Sequence, residues 1–174
     1  DRAGTWAAWR GGGQCRGEDE EIRLRIELCR ENRCPVHIVH VSSASAVPML
    51  RAGRDEGLPI TVETCPHYLC ITAEQIPEGG TEFKCAPPIR DDQNRNQLWD
   101  ALFEGVIDFV ISDHSPCTPN LKADGDFGDA WGGVSSLSLG LASIWTEGRK
   151  RGADSRQIAE WLSAAFAAFG ADAR

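Results

Sequence analysis

The sequence contains no run of about 18 uninterrupted apolar residues, which excludes a membrane-spanning helix. Residues 1–15 have no charged start, apolar middle and small-residue cleavage site. A signal peptide is therefore not expected, and a cytoplasmic location is. Basic residues never cluster beyond Arg149-Lys150-Arg151, and the formal net charge is −8. Such a surface repels phosphate backbones and argues against a nucleic-acid partner; its plainest consequence is solubility. The seven cysteines form an odd count with no C-x-x-C pair, against both a disulfide framework and a structural zinc ribbon. They read as small buried residues in a reducing compartment.

What is present is an ordinary globular composition: 174 residues, 41% apolar and 25% charged, enough for one domain with a real core. Residues 1–17, with their Gly-Gly-Gly run, show no period and read as irregular. Glu18 to Asn32 lacks Gly and Pro and is dense in charge, so a helix is expected there, although its apolar positions Ile22, Leu24, Ile26, Leu28 and Cys29 fall at mixed spacing. VHIVHV (36–41) is a β-branched run bounded by Pro35 and two serines, a buried strand. Ser43 to Gly57 reads as a helix with Pro48 in its first turns. PITVET (59–64) gives a second strand, EFKCA (82–86) a short third, and VIDFVIS (106–112) a fourth. Between the last two, Asp91 and Asp92 open a helix ending at Gly105. Helices are expected over Ser135 to Lys150 and from Asp154 to about Phe169. Strands alternating with helices imply βαβ units and a parallel sheet. Four strands are too few for a closed (β/α)8 barrel of about 250 residues, and alternation alone leaves half a barrel and a small open sheet equally open.

Three of the four expected strands end in residues able to bind a divalent metal: His40, then Cys65-Pro66-His67, then Asp113-His114. In parallel α/β folds the C-terminal strand ends face one crevice, so these side chains should converge. Imidazole and carboxylate are the usual ligands of a catalytic zinc that keeps one position open for water. Each residue alone is more often a hydrogen-bonded core or supporting group; their register at successive strand ends is what carries the argument. His37, three residues before His40, falls on the opposite strand face and reads as structural. His114 either orients Asp113 or packs. Cys65-x-His67-x-x-Cys70 has no matching second half and does not read as a zinc clamp.

HVSSASAV (40–47), ETCPHYL (63–69), FKCAPPIRD (83–91), ISDHSPC (111–117) and WGGVSSL (131–137) resemble, in this order, the motifs of the cyclic amidohydrolases. The resemblance covers roughly residues 20 to 160. It implies the C-terminal half of a (β/α)8 TIM-type barrel, about strands 5–8, forming a single incomplete domain over 1–174. It implies two divalent metal ions, usually zinc, which activate a water against a ring amide carbonyl. By the same resemblance His40 and His67 match the ligand histidines after the fifth and sixth strands. Asp113 matches the ligand aspartate after the eighth, which also shuttles the proton to the departing ring nitrogen. Backbone groups at Ala86, Pro87, Gly132 and Gly133 would hold a planar ureide, although Pro87-Pro88 also serves as a plain strand terminator. The family's remaining ligands, a His-x-His pair and a carboxylated lysine, have no match here, so the chain alone is expected to be inactive. Cys117 stands where dihydroorotases carry a carboxylate-binding histidine. Together SDHSPC, APPIR and WGG lean toward the members that open a neutral ureide ring in purine breakdown, ahead of dihydroorotases and hydantoinases. A homo-oligomer, a tetramer, is implied for the whole enzyme. The rival class is a metal-free interaction protein on the same fold, which usually loses the ligands that are kept here.

Overall fold

The computed structural model describes residues 14–122 and 125–170. Helix α1 spans Gln14–Asn32, so the chain is helical four residues earlier than its Gly-rich start suggests; residues 1–13 lie outside the described part. The mixed apolar spacing of α1 resolves into one buried stripe, Ile22, Ile26 and Cys29, while Leu24 and Leu28 face solvent. That is the i, i+4, i+7 pattern of a helix laid on a core.

Three strands form one parallel sheet in the order β1-β2-β3, with β1 at Val36–Ile38, β2 at Ile60–Thr64 and β3 at Phe109–Val110. Val36 pairs with Ile60 and Ile38 with Val62; Glu63 pairs with Phe109 and Thr64 with Val110. The outer strands are shorter than their apolar runs. Beyond Ile38 the chain turns through His40 at φ 39, yet Val41 still donates to the Glu63 carbonyl at 2.8 Å, so it stays against β2 after the ladder ends. Beyond Val110, Ile111 donates to the Thr64 carbonyl at 3.0 Å before the chain turns at Asp113, φ 43.

The strand expected over 82–86 does not form. Residues Thr81–Phe83 make a 3-10 turn instead, after the Gly79-Gly80 bend, with Lys84 N–H closing on the Thr81 carbonyl at 3.0 Å. A period-two reading fails there because Lys84 and Cys85 are both buried, side by side. The helix expected from Ser135 starts at Gly140; residues 135–139 are held in a turn in which Ser136 O accepts from Leu139 and Gly140.

The remaining helices are α2 (Val47–Asp55), α3 (Pro66–Cys70), α4 (Asp92–Phe103), α5 (Gly140–Lys150) and α6 (Ser155–Gly170). Asp91 caps α4 by accepting from Asn94 N–H. Trp99 of α4 is fully buried, donates its indole N–H to the Leu69 carbonyl at 2.7 Å, and packs edge-on against Trp161 of α6. An aromatic body in the core with its polar tip satisfied is the arrangement that avoids a desolvation cost. Helix α6 packs on β3 and α3 on both α4 and α5, so the helices wall the sheet and leave its C-terminal ends in a common mouth.

Candidate metal centre

Cys65, His67 and Asp113 come together at that mouth. The Cys65 sulfur, a His67 ring nitrogen and an Asp113 carboxylate oxygen lie within 4.8 Å of one another. Cys65 ends the β2 segment and sits at the N-cap of α3, whose second residue is His67. Asp113 enters from β3 and remains half-buried.

His67 is buried, and neither of its ring nitrogens has a protein hydrogen-bond partner. Burial lowers its pKa to about 4, and the neighbouring His40 adds to the shift. The ring is therefore neutral near pH 7, the form in which imidazole ligates a metal. His40 stands outside the 4.8 Å group but near enough to act on His67, and its buried Nδ1 also lacks a partner. Buried polar atoms are normally satisfied, so the orphan imidazole nitrogens of His40 and His67 fit a cation site, and the nitrogen, oxygen and sulfur donors of Cys65, His67 and Asp113 suit a zinc-type ion.

His40 lines a cavity of about 400 Å³ together with Ala86, Pro87 and the α1 residues Glu18 and Ile22. His67 opens instead on a smaller cavity of about 80 Å³ beside Ser135 and Ser136. The Pro87 carbonyl accepts from the Tyr68 hydroxyl at 2.8 Å. Gly133 donates its N–H to the Lys84 carbonyl at 2.8 Å and accepts from the Lys122 ammonium at 2.6 Å. Gly132 is exposed.

His37 is structural, as its strand face implied: its ring bridges Thr61 Oγ1 at 2.8 Å and Glu63 Oε2 at 2.9 Å and stacks on Phe109. His114 is exposed, and its Nδ1 accepts from Leu137 N–H at 3.2 Å.

Sequence reasoning passed over the residues that hold the His40 loop. The Glu18 carboxylate accepts from Ser42 N–H (2.7 Å), Ser42 hydroxyl (2.8 Å) and Ser43 N–H (3.0 Å), and pairs with Arg90 at 2.7 Å. Arg90 also donates to Ser42 Oγ, and Asn94 bridges the Ser42 carbonyl and Ala44 N–H. One signal was available: Glu18 lies four residues before Ile22, in the apolar register of α1. Cys65 belongs to the strand-end group that the sequence offers as metal donors, whereas the Cys65-x-His67-x-x-Cys70 clamp has no matching second half.

No protein-family model matches the chain. Solved structures similar to it include the L-hydantoinase (dihydropyrimidinase) of Arthrobacter aurescens, at TM-score 0.79 and 28% identity over 87% of this chain and 35% of that one. The D-hydantoinase of Bacillus sp. AR9 matches at TM-score 0.79 and 28% identity, over 85% and 34%. Sheet and neighbours alike are those of a segment of the cyclic amidohydrolase fold.

Curated relatives place it more narrowly. Allantoinase of Saccharomyces cerevisiae is 57% identical over 136 residues, 75% of this chain and 30% of the yeast protein. Allantoinase of Streptomyces avermitilis is 48% identical over 147 residues, 84% and 33%. The mitochondrial allantoinase of Aquarana catesbeiana is 47% identical over 153 residues, 85% and 32%. Over most of its length the chain is similar to allantoinases, and it spans about a third of the length of the curated relatives it matches. No helix among the described residues is long and apolar enough to cross a membrane.

Proposed function

We propose that this chain supplies one side of the active site of an enzyme that hydrolyses allantoin to allantoate, its three strands being part of strands 5–8 of a (β/α)8 barrel. The observation that carries the reading is the set of buried, unpartnered imidazole nitrogens on His40 and His67 beside the Asp113 carboxylate. In this reading His40, His67 and Asp113 hold divalent cations, two zinc ions in the complete enzyme. Bound there, such cations lower the pKa of water and polarise the ring carbonyl.

The chain's own residues do the rest. Asp113, half-buried at the mouth, takes the proton of the attacking water and passes it to the departing ring nitrogen. The neutral His67 keeps its lone pair available at working pH. Ala86 and Pro87, beside His40 in the larger cavity, and Gly132 and Gly133 present backbone groups to the planar ureide. With Pro87 O already accepting from Tyr68 and both polar groups of Gly133 engaged, Ala86 and Gly132 carry most of that role.

The test is a chimera. Replacing the matching 147 residues of the Streptomyces avermitilis allantoinase with this segment should preserve allantoin ring opening in preference to hydantoin or dihydrouracil. Asp113→Asn in that chimera should lower kcat by at least about a hundredfold, the scale of a lost acid–base group. The isolated chain should show no turnover. A folded chimera that binds zinc but opens no ureide ring would remove the assignment.

A further inference from the structure

We propose that Lys84 and Lys122 are positioning residues, two ammonium groups around which loop 126–133 folds so that Gly132 is held in a fixed relation to Ala86. Lys84 is 5% exposed and donates its ammonium to the carbonyls of Gly128 at 3.2 Å and Ala130 at 2.5 Å. Its own carbonyl accepts from Gly133 N–H at 2.8 Å, so one residue grips the loop at several points. Lys122 closes the remaining gap. Its ammonium reaches the carbonyls of Trp131 at 3.1 Å and Gly133 at 2.6 Å, the residues on either side of Gly132. Phe127, fully buried, anchors the other limb of the loop.

A buried ammonium is costly unless its hydrogen bonds are met. Here the carbonyls of the loop meet them, and Gly133, at φ 150, turns its carbonyl inward in a conformation that a side chain resists. The two ammonium groups also lie near each other: burial lowers the Lys84 pKa, and Lys122 adds to the shift. A neutral core side chain would fill the same space without that penalty and would leave the loop untied. What the lysines supply is direction. Lys84 stands two residues before Ala86, so the strap that fixes Gly132 is continuous with the segment that carries Ala86 and Pro87. Ala86 and Gly132 are the exposed members of this frame, and Lys84 and Gly133 are buried behind them. That the frame binds a ureide rests on the hydrolase reading; the frame itself does not.

The test uses the Streptomyces avermitilis chimera carrying Lys84→Met or Lys122→Met, which keep an apolar stem and remove the ammonium. Lys150→Met on α5, whose ammonium pairs with Glu147, is the control. Amide exchange at Trp131 and Gly133 should accelerate at least about tenfold in both variants, the scale of one hydrogen bond lost. The control should leave it unchanged. KM for allantoin should rise by a similar factor with kcat within about threefold, the mark of lost binding rather than lost chemistry. Mere loosening of the fold would instead reduce the active fraction, lowering apparent kcat at constant KM. Unchanged exchange or unchanged KM in either folded variant, or an equal rise with Lys150→Met, overturns the proposal. Should Lys84→Met fail to fold by circular dichroism, the half-buried Lys122 decides alone. Ring opening absent even from the unmutated chimera, with exchange still accelerated in the lysine variants, would overturn only the hydrolase reading.

Discussion

The arm after β1 and the arm after β3 each deliver a candidate ligand on a left-handed turn, His40 at φ 39 and Asp113 at φ 43, and they are held by different physics. Non-glycine residues adopt that region only where their surroundings enforce it. On the first arm Val41, Ser42 and Ser43 are buried, and the enforcing groups are the charged pair Glu18 and Arg90, with the neutral amide of Asn94 bridging beside them. On the second arm His114 is exposed, and the ties are neutral. Ser115 donates to the Val134 carbonyl at 3.1 Å, Ser136 donates to Ser112 O, and Leu137 N–H meets His114. A buried ionic clamp fixes His40 firmly; a half-exposed backbone seam lets Asp113 adjust, as the proton transfer proposed for it requires.

The largest effect should come from breaking the clamp. Arg90→Ala leaves the Glu18 carboxylate buried with its cationic partner gone, a change expected to cost about 3–5 kcal/mol in urea unfolding. Amide exchange should then accelerate at Ser42 and Ser43 and stay unchanged at Ser115. The double variant Glu18→Leu with Arg90→Met should recover most of the global stability while the two serine amides remain fast. Slow amides in the double variant would mean that the ionic pair is not what fixes the His40 loop.

This contrast was only half visible in the sequence. The strand-end residues were legible because a parallel sheet converts chain order into proximity: His67 and Asp113 meet with no sequence closeness at all. Helix α4 was legible too, Asp91 and Gly105 bracketing it by their capping chemistry. What escaped were features set by tertiary partners. Lys84-Cys85 sits in a β-like run, but its neighbours are a Gly-Gly bend and a loop whose carbonyls take the lysine ammonium, and these outweigh a five-residue propensity. The Glu18–Arg90 pair joins residues 72 apart, which no local pattern can announce.

The next effect isolates the buried ring at the base of the mouth. His67 is neutral down to about pH 4 in the folded chain, whereas an unfolded histidine takes its proton near pH 6.5. Between those values the unfolded state binds more protons, so this stability is complete above pH 6.5 and is lost as pH falls toward 4. The loss amounts to at most about 3 kcal/mol. Unfolding free energies of wild type and His67→Gln measured across that window should converge at low pH. Parallel curves would show that His67 is not held neutral by burial.

The smallest effect probes the seam. Gly133 sits at φ 150, where a side chain is strained, and an added Cβ would lie 2.6 Å from both the Ser115 carbonyl oxygen and its hydroxyl. Ser115 is two residues past Asp113, so the clash pushes directly on the second arm. Gly133→Ala should cost about 1–3 kcal/mol through backbone strain, with faster amide exchange at Ser115 and none of the change at Ser42 that Arg90→Ala produces. Gly132→Ala, whose Cβ meets nothing within 4 Å, serves as the matched control; a surface change of that kind stays within about 0.5 kcal/mol. Equal losses from the two glycines would mean that the 133–115 approach does not hold the Asp113 turn, and the division between a rigid arm and an adjustable one would have to be redrawn.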